Sequence, residues 1–490
     1  MNKLINRIKK IKKIEYYFVS IILIFAFFTR LYKIDNPLAD WHSFRQADTA
    51  AVTRIYLEEG VNLLFPRYYD LSSTQSRIFN PKGYRLVEFP LYNALHAFLA
   101  GNLPLFSLEI WGRLLSISFS LVSTYFLFLL GKRFINKWGG VLAAFFFALL
   151  PFNIYFSRVI LPEPMAIAFA LAAVWFFVKF IDEEKLHFLY LSALLFAISL
   201  LIKPFVVFYF IPLVYLLHQK YDLKKIISKP KLFIRLLVFA DIVLIPFFAW
   251  RVWINQYPAG IPGWQWMFNG DRIRFRPAFW RWLFGERLAK LILGFWGLVP
   301  FSFGFLKTRQ ISLFSHFFLL GMFLYVTIFA TANVRHDYYQ TMIIPAICLV
   351  LAQGTLFMWQ SRGFKPILSR SLLIFSLALM FTTAAYQVKE FYKINHPEII
   401  STGQAVDRLT PKEALVIAPY NGDTAFLYHT KRRGWPVMDT DIDTLIKRGA
   451  DYYVSVSLED ADTQMILDRF EVVEKTSDYV IVDLKRAKER

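Results

Sequence analysis

Long apolar runs separated by short polar clusters dominate the chain from Tyr16 to Val388. A bilayer crossing needs roughly 20 apolar residues. At that length the runs predict spans over 15–33, 108–130, 138–157, 163–181, 187–202, 204–219, 234–254, 289–306, 312–331, 340–360 and 368–388. The runs 187–202 and 204–219 are short and broken at Lys203-Pro204, which suggests a hairpin that only partly crosses. Two polar stretches, 34–107 and 255–288, are too long for simple connections. Within the first, 47–59 has helical spacing and 89–101 is amphipathic and aromatic, so both read as helices lying along the interface. From 392 the pattern changes. Short β-rich runs such as "ALVIAP", "DYYVSVS" and "DYVIVDL" alternate with helix-like segments such as "TQMILDRF". This predicts a small soluble α/β domain over 391–490, after a membrane domain over 1–390.

Composition agrees with that class. The 490 residues are 56% hydrophobic and 19% charged, with a mean hydropathy of +0.41. A soluble domain is typically about 45–50% apolar. The chain reads as an α-helical polytopic membrane protein with about eleven transmembrane helices. Its net charge of +20 is no sign of nucleic-acid binding, because the basic residues sit in clusters between apolar runs. That is the bias of cytoplasmic loops. Lys3, Arg7, Lys9, Lys10, Lys12 and Lys13 precede the first run, which reads as a signal anchor in the plasma membrane with the N-terminus cytoplasmic. The inside loops are then 131–137, 182–186, 220–233, 307–311 and 361–367, all basic except 182–186. The outside segments are 34–107, the turn near 158–162, Lys203, 255–288, 332–339 and everything after 389, so the C-terminal domain is extracytoplasmic. Cys348 is the only cysteine, so no internal disulfide forms.

Ionisable residues on the outer side carry the candidate chemistry. "HSFRQADTA" places Asp48 beside a lipid boundary; its plain reading is an acid in a first helical turn. Glu163, in "LPEPM", has the same plain reading. Yet topology brings Asp48, Glu88 and Glu163 to one membrane face, and clustered carboxylates suit general-base chemistry on a hydroxyl. Cations accompany them. Loop 255–288 holds Arg272, Arg274 and Arg276 in "RIRFR", suited either to a lipid phosphate or to ordinary headgroups. Lys203 interrupts an apolar run, where a lone cation is costly. The turn "NVRHDYYQTMIIP" adds Arg335, His336, Tyr338 and Tyr339. Its plain readings are an Arg335–Asp337 salt bridge and an aromatic belt. His336 beside Asp337 is too little for a metal site.

In order and placement these motifs resemble the GT-C fold membrane glycosyltransferases: protein mannosyltransferases, the aminoarabinose transferase of lipid A, and bacterial RgtA/B/C/D-like transferases. That family has D-E-x-x-Y after the first span, where this chain has "ADTAAVTRIYLEEG" with Asp48 at the acid. Its E-x-P-P-L-Y is matched by "EFPLYNAL" with Glu88, and its R-x-x-x-P-E-P by "RVILPEP" with Glu163. A Lys beside Gly or Pro is matched by Lys203-Pro204, and a Tyr-rich turn before a Pro-containing span by "HDYYQTMIIP". The resemblance covers about residues 15–390. Thr49 stands where the family has a second acid, and Phe89 where some members have a basic residue.

The resemblance implies a GT-C fold and an inverting glycosyltransferase, a hexosyl- or pentosyltransferase of the cell envelope. The donor is a polyprenyl-phosphate sugar and the acceptor a hydroxyl of a lipid, glycan or protein. Asp48 is then the base, and Glu163 orients the acceptor or the base. Glu88 orders the loop. Lys203, Arg335 and one or more of Arg272, Arg274 and Arg276 meet the leaving phosphate, with His336, Tyr338 and Tyr339 lining the substrate site. Fixed cations suffice for a monophosphate leaving group, so no cofactor is required; a divalent metal is compatible with the chemistry but no spacing calls for one. The rival classes are a transporter or lipid flippase, which places its charges at the midplane of repeated halves, and a non-catalytic scaffold whose outer domain binds a partner.

Overall fold

The computed structural model describes residues 13–221, 228–306, 312–361 and 363–488. The N-terminal cations before Lys13, residues 222–227 of the loop 220–233, the loop 307–311 and Arg362 lie outside the described residues. The chain folds as two compact units. One comprises residues 1–34, 114–249 and 264–390; the other comprises 35–113, 250–263 and 391–490.

In the first unit every predicted apolar run is helical, and the breaks have local causes. Run 138–157 is split at Pro151 into helices Lys137–Leu149 and Pro151–Phe156, since proline cannot donate to the preceding turn. Run 204–219 starts as a 3-10 turn, Pro204–Phe210, and continues as helix Ile211–Tyr221. Run 289–306 is divided between a π-helical segment, Arg281–Ile292, and helix Leu298–Leu306. Gly294 and Phe295 sit between them with φ of 49° and 56°. Among the described residues five helices are long and apolar enough to cross a membrane: Leu108–Phe134, Glu163–Glu183, Pro230–Ile254, Asp337–Gln360 and Pro366–Tyr392. Helices Lys137–Leu149, Leu186–Ile202 and Phe314–Ile328 are apolar but shorter.

Helices Leu298–Leu306 and Ile344–Gln360 touch through their backbones. A Cβ on Gly354 would stand 1.7 Å from the Pro300 carbonyl oxygen, and one on Gly304 2.0 Å from that of Val350. Small residues at such a crossing replace the hydrophobic drive that helices lack in lipid. Arg30, which ends the first run, is buried and donates to Ser157 Oγ at 2.7 Å and to the Ala148 carbonyl at 2.8 Å.

The second unit carries a five-stranded sheet: β1 (Val416–Ile417), β2 (Gly434–Trp435), β3 (Tyr452–Ser455), β4 (Phe470–Lys475) and β5 (Val480–Ala487). The order is β2-β1-β3-β5-β4, parallel across β2, β1 and β3 and antiparallel across β3, β5 and β4. This α/β segment does not stand apart, as the sequence suggested. Asp70 pairs with Gly434 in parallel beside β2, Leu71 shares a core with Trp435 and Ile417, and Ser73 donates to Asp439 at 2.6 Å. The first polar stretch therefore adds a single bridge at the β2 edge of the C-terminal sheet.

Helix Ser43–Glu59 corrects a second expectation. Every residue from Arg45 to Thr53 is buried, so this helix is an internal element of its unit and not an interfacial one. Helix Leu91–Asn102 is amphipathic, burying Tyr92 and His96 and exposing Phe98.

Candidate functional site

The predicted residues fall in both units: Asp48 and Glu88 in the second, and Glu163, Lys203, Arg272, Arg274, Arg276, Arg335, His336, Tyr338 and Tyr339 in the first.

In the second unit the site is built on helix Ser43–Glu59. His42 precedes it with φ of 57°, a left-handed conformation that costs a non-glycine residue about 1 kcal/mol or more. Trp41 stacks on Phe391 at 5.1 Å and anchors that entry. Asp48 therefore lies well inside the helix, and its first turn holds no acid. The dipole explanation for Asp48 fails.

Asp48 is 1% exposed, and both its oxygens are addressed by residues remote in sequence. Thr424, the first residue of helix Thr424–Thr430, donates to Oδ1 at 2.7 Å. Arg85 Nη2 lies 2.6 Å from Oδ2. That contact is a charge pair without hydrogen-bond alignment, so Oδ2 is a buried acceptor with no aligned donor among the described residues. Arg85 also lies over the Tyr68 ring at 5.0 Å. One turn earlier, Arg45 pairs with Glu88, and Gln46 donates to Asp40 at 2.7 Å. Glu88 thus ties its loop to the Asp48 helix.

Two further acids feel Asp48. Asp70 accepts from the Ser72 amide at 2.7 Å, and Asp423 caps its helix by accepting from the Ala425 amide at 2.7 Å. Burial, reinforced by the charge of Asp48, pushes each carboxyl up to about 6. His96 and His429 move the other way, held down to about 4 by burial.

In the first unit, Glu163 opens helix Glu163–Glu183 and Lys203 closes helix Leu186–Ile202. The Ser199 hydroxyl donates to the Ala166 carbonyl at 2.7 Å and fastens the two helices near these ends. Lys203 Nζ then sits 2.8 Å from Glu163 Oε1, with side chains 6% and 1% exposed. The lone cation of the sequence has a partner, and the intrahelical explanation of Glu163 is incomplete. As with Asp48, the Glu163 oxygens have a cation beside them but no aligned hydrogen bond among the described residues.

The turn after helix Ala330–Arg335 differs from its plain reading. Asp337 pairs with Arg287, not Arg335, and Arg287 also donates to the Val334 carbonyl at 2.9 Å. Arg335 instead lies 3.9 Å from Asp271 and over the Trp266 ring at 5.6 Å, with its side chain 57% exposed. His336 stacks on Tyr338 at 5.5 Å. Tyr338 and Tyr339 are buried, so they form no aromatic belt. Arg274 is half-buried and donates to the Ile328 carbonyl at 2.9 Å, while Arg272 and Arg276 are exposed. Asp271 and Arg272 have consecutive positive φ of 55° and 53°, local strain of a kind that clusters at ligand clamps.

Arg85 and Thr424 were not singled out in the sequence, and the pairing of Arg287 with Asp337 was not foreseen. Arg85 had a signal, three residues before Glu88 in the same loop. Thr424 had none, being 376 residues from Asp48. Among the described residues no group of three or more His, Cys, Asp or Glu side chains is set to hold a metal ion.

This arrangement of helices, with its strand-containing C-terminal segment, is the GT-C fold of membrane glycosyltransferases. The chain superposes on ArnT from Cupriavidus metallidurans bound to undecaprenyl phosphate with a TM-score of 0.62 and 12% identity, covering 95% of this chain and 97% of that one. The apo state of the same protein gives a TM-score of 0.64 at the same identity and coverage. The oligosaccharyltransferase of Archaeoglobus fulgidus, in complex with Zn and sulfate, gives 0.54 at 12% identity, covering 89% of this chain and 68% of that one. Residues 95–250 match the family model for dolichyl-phosphate-mannose-protein mannosyltransferase. No curated protein sequence matches the chain.

Proposed function

We propose that this chain is an inverting glycosyltransferase of the plasma membrane. It moves a sugar from a polyprenyl-phosphate donor to a hydroxyl of a lipid, glycan or protein acceptor at the outer face, with the N-terminus inside and residues 391–490 outside. The reading is supported by the GT-C fold and by the undecaprenyl phosphate bound to the Cupriavidus ArnT. The observation that carries it is the carboxylate of Asp48, buried, with Thr424 on one oxygen and no aligned donor on the other.

Oδ2 of Asp48 takes the proton of the acceptor hydroxyl. The acceptor oxygen bonds to the anomeric carbon as the bond from that carbon to the phosphate oxygen breaks. The electron pair leaves with the lipid phosphate, and the configuration inverts. Arg85 offsets the negative charge of Asp48 before transfer, and Thr424 fixes its rotamer. Lys203, held by Glu163, and the exposed Arg272, Arg276 and Arg335 supply positive charge to the leaving phosphate. Glu163 positions Lys203 in this scheme. Arg274 braces the arginine loop through Ile328, and His336, Tyr338 and Tyr339 shape the turn that carries Arg335. Fixed cations serve the monophosphate, and the scheme calls for no resident metal.

The test incubates the purified full chain with a labelled polyprenyl-phosphate sugar and a mixed envelope extract, and measures released lipid phosphate. Wild-type protein releases it and Asp48→Asn does not. Release at the wild-type rate by folded Asp48→Asn overturns the assignment.

A further inference from the structure

Helix Thr424–Thr430 has seven residues, too few to be stable by itself, so its place is set by what holds its two ends. One end is tied to helix Ser43–Glu59 by the Thr424 hydroxyl, 2.7 Å from Asp48 Oδ1. A single hydroxyl leaves a short helix free to pivot. The other end is tied to the same helix. Arg54, six residues after Asp48, donates from Nη1 to the Tyr428 carbonyl at 3.1 Å and lies over the Tyr428 ring, 3.9 Å from its centroid. At the rise of an α-helix Arg54 stands roughly 9 Å along from Asp48, so the two ties act on opposite ends of the short helix.

Glu109 closes the second tie. It lies in the first turn of helix Leu108–Phe134, and its Oε1 accepts from Tyr428 Oη at 2.6 Å and from Arg54 Nη2 at 3.1 Å. Three elements thus meet at one carboxylate oxygen, all within the second unit. Hydrogen bonds to a charged partner are roughly twice as strong as neutral ones. Tyr428 is 2% exposed, and Tyr69 stacks on its ring at 6.4 Å. Helix Glu398–Leu409 packs so closely that a Cβ on Gly403 would stand 2.5 Å from the His429 carbonyl oxygen. None of these groups enters the transfer step itself.

We propose that Tyr428 is a positioning residue for transfer. Held by Glu109 and Arg54, it fixes the tilt of helix Thr424–Thr430 and so keeps the Thr424 hydroxyl on Asp48. The role rests on Asp48 being the base. When the second tie is cut, the helix pivots about its first turn and the Thr424 hydroxyl leaves Oδ1. The carboxylate then loses the contact that fixes its rotamer. A misplacement of about 1 Å at a reacting group costs up to about 100-fold in rate even when its source is remote. Substrate contacts are untouched, so the loss falls on kcat and not on KM.

The purified full chain is assayed with a labelled polyprenyl-phosphate sugar and the envelope extract, reading released lipid phosphate. Tyr428→Phe removes the hydroxyl and keeps the ring. It is expected to lower kcat about three- to ten-fold with KM for the donor unchanged. In a Thr424→Val chain the same change is expected to cost nothing further, because the contact it protects is already gone. Arg54→Met keeps the apolar stem and is expected to give both results by a second route, so the test stands even if one variant does not fold. Leu467→Ala, in the sheet core, is expected to lower the melting temperature and leave kcat at the wild-type value, which separates position from stability. Equal fold-losses from Tyr428→Phe with and without Thr424 overturn the positioning role, as does a change in KM alone. Transfer by Asp48→Asn overturns the base and this role with it. Additivity in a chain that Asp48→Asn inactivates overturns this role alone.

Discussion

Arg85 Nη2 stands 2.6 Å from Asp48 Oδ2, with both side chains nearly excluded from solvent. Breaking a buried pair from one side leaves a charge without compensation and costs about 3–5 kcal/mol. Asp48→Asn therefore loses stability as well as transfer. Adding Arg85→Gln is expected to recover most of the lost melting temperature while transfer stays about 10²- to 10⁴-fold down. Thermal unfolding beside the phosphate-release assay separates the two effects. Recovery of transfer by the double variant would remove Asp48 from the chemistry.

Thr424 offers a milder perturbation, because it touches Asp48 through one hydroxyl at 2.7 Å. Thr424→Val is expected to lower kcat by about 10-fold, roughly the value of one charge-assisted hydrogen bond, with KM unchanged. Thr424→Ser should restore it. A loss in KM alone would mean that Thr424 shapes acceptor binding and does not fix the base.

Glu163 and Lys203 behave as a coupled pair at 2.8 Å. Glu163→Gln and Lys203→Met are each expected to destabilise the protein by ~3 kcal/mol. The double variant should lose less than the sum. Strict additivity in thermal melts would show that the pair does not form.

The pH dependence of the second unit contains two opposing contributions. Asp70 and Asp423 are raised from 3.8 to about 6, so the stability they contribute is present at low pH and lost as pH rises towards 6. His96 and His429 are lowered from 6.5 to about 4, so their contribution is lost as pH falls over nearly the same window. Wild-type stability should therefore be nearly flat between pH 4 and 6. Asp423→Asn keeps the helix cap and removes one of the acid terms. Its stability should fall with acidification where wild type does not, and a pH series of melts reads this directly.

Gly354 has a purely structural prediction. A methyl group there meets the Pro300 carbonyl at 1.7 Å, backbone against backbone. Gly354→Ala is expected to force the two helices apart and lower the melting temperature, while Gly363→Ala, with only the Ser361 side chain nearby, should not.

The sequence by itself determined the class of the molecule. Apolar runs of spanning length and clustered cations leave few alternatives, because bilayer thickness and unsatisfied backbone groups tolerate only helices in that setting. The runs become helices nearly where periodicity places them, and the breaks at Pro151 and Lys203-Pro204 are local chemistry that a sequence displays. Asp48 and Glu163 were visible because an acid beside a lipid boundary needs a reason.

Only tertiary structure decided what surrounds them. Nothing in "ADTAAV" tells that Thr424 donates to Asp48, or that Asp337 chooses Arg287 over the nearer Arg335. Such partners are set by the packing of whole elements, and electrostatic contacts are decided by position to within an ångström or two. For the same reason the segment after 390 was expected to fold alone. Its polar alternation is legible, but the Asp70 bridge at its sheet edge and the Leu71 side chain in its core come from a loop more than 300 residues earlier.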